Sequence, residues 1–133
     1  MILAPIQTER LHLRCVAPQD AAATAALMTQ AVSEWLAAWP LPCTPQMARQ
    51  RIETAREAAR RKEALTYAIT LQDDGKLIGW IGLARCETSP RRAALSYWLG
   101  ADYHGRGFAR EALSALLEVG FSLLQRDVIE AGA

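Results

Sequence analysis

The stretch from Asp102 to Arg110 holds residue types that could grip an anion. Downstream, Phe108, Ala112, Leu113, Leu116, Leu117, Phe121 and Leu124 recur at the spacing of one buried helix face, which predicts a helix over 107–125. A helix start leaves four backbone N–H groups without intrahelical acceptors. The residues there are Tyr103, His104, Gly105, Arg106 and Gly107, and only Asp102 could supply a side-chain cap. Arg106 and Arg110 add positive charge to the positive end of the helix dipole, a cost of roughly a few tenths of a kcal/mol each. An anion resting on the free N–H groups resolves both problems. The two glycines and the small Ala109 let it approach the backbone, as phosphate does at helix N-termini. The plainer alternative is a glycine turn capped by Asp102 or by water. Two familiar phosphate motifs are excluded: no GxxxxGK[ST] run exists, and GxGxxG would need glycine at position 110.

Other reactive residue types form no constellation. Cys15, Cys43 and Cys86 lie far apart with no CxxC pair, which argues against zinc, any other metal site, and thioredoxin-like chemistry. A cysteine nucleophile would need a histidine, and only His12 and His104 exist. Three reduced thiols in a cytoplasmic protein are the expectation. With 15 basic and 14 acidic residues, the chain has no bulk attraction for nucleic acid or an anionic membrane. No window approaches the roughly 20 apolar residues of a membrane span, and Met1–Pro5 has no basic leader.

These 133 residues suit a single domain, 1–133. Alternation predicts a strand near 10–16, and Pro18-Gln19-Asp20 opens an alanine-rich helix over 18–31. Thr44-Pro45 starts a second helix running to Lys62. Its arginines are interleaved with Glu53, Glu57 and Glu63, as on a solvated face. Strands follow at 65–71 and 76–85 around an Asp73-Asp74-Gly75 turn, with Gly79 and Gly82 marking a bulge or close backbone approach. A strand at 93–99, the 107–125 helix and a last strand at 127–133 complete the chain. The order β-α-α-β-β-β-α-β implies an α+β domain with a mixed, mostly antiparallel sheet and one crossover.

His104-Gly105-Arg106-Gly107-Phe108-Ala109 resembles the signature [QR]-x-x-G-x-[GA] of the GNAT (GCN5-related) N-acetyltransferases, with histidine at the first position. Leu95–Gly100, Glu111-Ala112-Leu113, Thr8–Arg14 and Asp74–Gly79 resemble the branch that includes the RimJ and RimL protein N-terminal acetyltransferases. The resemblance runs from about residue 8 to the C-terminus. It implies acetyl-CoA as co-substrate, with its pyrophosphate on the N–H groups of Gly105, Arg106, Gly107, Phe108, Ala109 and Arg110, and His104 beside them as a further cofactor-binding residue. Its pantetheine arm would lie along Tyr97, Trp98 and Leu99. The acceptor would be a primary amine, either a peptide N-terminus or a small amine.

Two departures from the family pattern matter. Many relatives carry glutamate where this chain has Ala94, which leaves Glu87 and Ser96 as the candidate catalytic groups. The pattern also continues with a further helix and two strands, whereas this sequence stops at Ala133. The expectation is therefore a C-terminally incomplete domain whose open last strand pairs with another copy, giving a homo-oligomer. A non-catalytic CoA-binding or interaction domain is the alternative. Trp35 and Trp39 could line an acceptor cleft or pack under a loop.

Overall fold

Successive side chains of a strand point to opposite faces, and the central strands over 64–71 and 77–85 are buried along most of their length, so the sheet is covered on both faces. The computed structural model describes residues 5–34, 39, 43–85, 92–124 and 128–131. Its strands are β1 (Ile6–Gln7), β2 (Leu11–Cys15), β3 (Ala64–Leu71), β4 (Leu77–Arg85), β5 (Arg92–Leu99) and β6 (Val128–Ala131). They form one sheet in chain order. Neighbours are antiparallel except β5 and β6, which run parallel. That parallel step requires a crossover, and helix α4 (Phe108–Leu124) provides it.

On one face, Leu11, Leu13, Leu65, Tyr67, Ile69, Leu83, Leu95 and Leu99 pack against Phe108, Ala112 and Leu116 of α4. The opposite face packs Ala68, Leu77, Trp80 and Trp98 against the segment holding α1 (Ala21–Leu27), α2 (Gln30–Ser33) and α3 (Pro45–Arg60). Each large apolar side chain so buried contributes about 1.5–3 kcal/mol. The result is the expected α+β arrangement, a mostly antiparallel sheet flanked by helices.

Thr44 caps α3, its hydroxyl accepting from the Met47 N–H at 3.1 Å, with Pro45 in the first turn. Gly79 and Gly82 permit close approach, as expected. A Cβ on Gly79 would stand 2.1 Å from the Trp98 carbonyl oxygen, and one on Gly82 2.7 Å from that of Leu65. The β3–β4 register shifts beside this site, at Ile69/Thr70.

Two elements differ from the sequence expectation. The helix expected over 18–31 is instead a 3-10 turn (Pro18–Asp20), α1, and a separate short α2. Thr29 adopts an extended conformation (φ −88°, ψ 172°) and starts α2, and Met28 before it has left the helical region. Strand β1 was not expected, because two residues carry no readable period. It is recruited by pairing Ile6 with Leu13.

Candidate functional site

Strand β5 ends in a turn held from within the sheet. The Gly100 N–H donates to the Ile78 carbonyl at 2.8 Å, and a 3-10 turn (Ala101–Tyr103) follows, with the Tyr103 N–H on Gly100 oxygen at 2.9 Å. Asp102 sits exposed in that turn and, among the described residues, caps nothing. Gly105 and Gly107 then take positive φ, 75° and 82°, values that favour glycine. The Glu111 N–H donates to the Gly107 carbonyl at 3.1 Å, which closes the first turn of α4. Among the described residues, nothing accepts from the N–H groups of Gly105, Arg106, Gly107, Phe108, Ala109 or Arg110. Successive amides wound on left-handed residues make an anion-binding concavity, and the helix start adds its partial positive charge. Arg106 and Arg110 are exposed beside it, Phe108 is buried against the sheet, and Ala109 is half-buried.

His104 precedes the glycines, and its Nε2 lies 2.8 Å from the Leu99 carbonyl oxygen. A carbonyl only accepts, so Nε2 carries the proton and ties the turn to the end of β5.

A second tie was not visible in the sequence. Glu111, in the first turn of α4, accepts from the Arg10 guanidinium Nε at 2.7 Å, from the Arg10 main-chain N–H at 2.8 Å, and from the Thr8 hydroxyl. Burial alone would raise the Glu111 carboxyl, but the hydrogen bonds from Thr8 and Arg10 outweigh it and hold its pKa below the ordinary value. Arg10 also donates to the Arg106 carbonyl at 3.0 Å and lies 4.4 Å above the Phe108 ring. Gln72 braces the same β1–β2 turn, its amide donating to the Thr8 and Leu11 carbonyls. Glu111 is a negative charge near the positive helix end, and it offsets part of the arginine repulsion inferred from sequence.

The edge of β5 forms the other half of the site. The hydrogen bond from Gly100 to Ile78 sets the alternation, so the main chain of Trp98 pairs with Trp80. Tyr97 and Leu99 therefore direct their N–H and C=O groups to the opposite edge. There β6 pairs with β5 from Arg92 to Leu95 among the described residues, leaving the Tyr97 groups and the Leu99 N–H without a strand partner. The Tyr97 side chain is 49% exposed. Of the three residues expected to line the cofactor arm, Tyr97 and Leu99 offer main-chain groups, and Trp98 contributes packing.

Trp98 is buried on the α1–α3 face with Trp80, their ring centroids 6.1 Å apart, and Trp39 sits edge-on to both at 5.5 and 5.2 Å. The Trp80 indole donates to the Thr24 hydroxyl at 3.1 Å. Trp39 thus packs on the sheet, with Arg51 4.4 Å above its ring. Ser96 is exposed on the same side of β5 as Trp98, one residue beyond the β6 pairing. Glu87, Trp35 and Cys86 lie outside the described residues. Neither β4 nor β5 contains an acidic residue. The described residues hold no metal-ligand cluster and no helix long and apolar enough to cross a membrane.

A mixed sheet with one parallel crossover, whose helix begins in a bare glycine turn beside an open strand edge, is the arrangement of an acetyltransferase domain. The acetyltransferase (GNAT) domain model matches residues 10–133, and the chain belongs to that family. It is 29% identical over 127 residues to the uncharacterized N-acetyltransferase p20 of Bacillus licheniformis, covering 95% of this chain and 71% of the relative. A presumed ribosomal-protein-serine acetyltransferase from Vibrio cholerae has a similar structure: 26% identity, TM-score 0.74, 92% of this chain and 69% of that one. RimJ of Mycobacterium smegmatis, solved with CoA-disulfide, shares the fold at 24% identity and TM-score 0.77, over 96% and 65% of the two chains.

Proposed function

We propose that this chain transfers the acetyl group of acetyl-CoA to an α-amine, with a peptide N-terminus as the preferred acceptor. The observation that carries the donor assignment is the run of six amides, Gly105 to Arg110, with no protein acceptor among the described residues. Such a concavity fits a diphosphate, and Arg106 and Arg110 supply the balancing charge. The N–H groups of Tyr97 and Leu99 fit an amide-bearing arm added as an extra strand. One of them, aimed at the thioester carbonyl, stabilises the negative charge that develops on its oxygen. When bound, acetyl-CoA supplies the activated acetyl group.

The acceptor class follows from the lack of a carboxylate on β4 and β5. With Ala94 on β5, no acidic side chain on β4 or β5 can take the proton of an ammonium group. An acceptor that meets no carboxylate on these two strands arrives largely neutral, losing its proton to water. An α-amine has pKa about 7.7–8.0 and a lysine amine about 10.4, so at pH 7 the neutral fraction favours the α-amine several-hundred-fold. Ser96, exposed on the side of β5 that carries Trp98, would hold that water. The similarity to a presumed ribosomal-protein acetyltransferase supports a protein acceptor.

Calorimetric titration with acetyl-CoA tests the donor site, and a thiol-release assay over peptides and small amines tests turnover. Peptides with free N-termini should react faster than acetyl-capped peptides bearing lysine. An equal rate for the two would overturn the α-amine reading. The lack of a carboxylate on β4 and β5 also favours a second reading, a domain that binds CoA without turnover. Tight binding with no thiol release would select it.

A further inference from the structure

The peptide bond joining Arg106 to Gly107 is planar, so the Arg106 carbonyl and the Gly107 N–H point in opposite directions. Glycine at 107 frees φ on one side of this peptide, so the peptide can rotate as a unit. An outside contact must therefore decide which way the Gly107 N–H faces. Among the described residues, one side-chain hydrogen bond reaches a carbonyl of residues 104–107: Arg10 NH1 to the Arg106 oxygen, at 3.0 Å. Arg10 is itself fixed, because its Nε lies 2.7 Å from a Glu111 oxygen, its guanidinium stacks on Phe108, and its own N–H is held by Glu111 at 2.8 Å. The two elements involved, the β1–β2 turn and the start of α4, are about a hundred residues apart in the chain.

We propose that Arg10, clamped by Glu111, is the positioning residue of the anion site: it pins the Arg106 carbonyl and so keeps the Gly107 N–H turned toward the phosphates. This rests on reading that turn as the acetyl-CoA site. The role needs arginine. One planar fork presents Nε to a carboxylate and NH1 to a carbonyl at once, which a lysine ammonium on a flexible stem cannot do.

The test is calorimetric titration of the whole chain with CoA, alongside ligand-free thermal melts, for the wild type, Arg10→Lys, Glu111→Gln and the double variant. R10K keeps the charge and loses the fork, so a loss of affinity cannot be attributed to charge. CoA binding is expected to weaken about tenfold or more in each single variant. The double variant should lose no more than about threefold beyond the weaker single one, because both changes break one link. If R10K fails to fold, E111Q carries the test, since the amide keeps the shape but loses the charge that holds the Arg10 guanidinium; CoA binding within about twofold of wild type then overturns the clamp. R10K binding CoA within about twofold of wild type, or a double variant that loses the product of the two single effects, overturns the clamp. A wild-type chain that takes up no CoA overturns the donor-site reading itself.

Discussion

Gly107 combines a φ of 82° with an Arg10 nitrogen 3.4 Å from the position a Cβ would occupy. Gly107→Ala is therefore strained by about 1–2 kcal/mol in the turn alone. It should weaken CoA binding about tenfold in a calorimetric titration while leaving the sheet's circular dichroism unchanged. Glu111 gives a second prediction. Its carboxyl is held below the ordinary value of about 4.3. The stabilisation from its contacts is thus complete above that value and is lost as pH falls through the lower folded one. Melts of wild type and Glu111→Gln should differ at pH 6 and converge in strong acid; a difference independent of pH would argue against an ionised contact. The glycines and arginines of the turn were legible in the sequence because their meaning is local. The Arg10–Glu111 contact was not, because nothing local marks two charged residues so far apart as partners. Ser96 was placed on the correct strand because it lies inside the apolar run that ends in Tyr97-Trp98-Leu99.

At the level of elements, the prediction concerns Gly79. Its missing side chain lets β4 pass β5 with no room to spare, since a Cβ would lie 2.1 Å from backbone. Gly79→Ala should cost about 1–3 kcal/mol or more, read as a fall in the urea midpoint, because backbone must move to admit the methyl group. Thr24→Val should cost a similar amount, leaving the buried Trp80 indole N–H without its acceptor. The strands around Gly79, the capped α3 and the amphipathic α4 were readable from period and punctuation. The break between α1 and α2 was not, because an alanine-rich run scores as helix throughout and only the non-helical conformations of Met28 and Thr29 divide it. Strand β1 escaped because its conformation comes from its partner, not from its own two residues.

For the whole molecule, two edges bound the sheet, β1 on one side and β6 on the other. Among the described residues, β6 pairs only with β5. Exposed strand edges pair readily with further strands. Multi-angle light scattering should accordingly find a dimer or larger species, and a sharp monomer peak would count against pairing at this edge. The topology was within reach of the sequence because hairpin turns and a single crossover leave few ways to order the strands. A partner for the outer edge of β6 was not, since an edge carries no mark of what would pair with it. The aromatic cluster has a practical consequence. Three of the four tryptophans, Trp39, Trp80 and Trp98, have ring centroids within 6.1 Å of one another, and Trp98 belongs to the strand whose other edge would receive the acetyl donor. The molecule thus carries its own optical reporter: excited indoles so close share their emission, and a ligand that stiffens β5 should change its intensity without any attached dye.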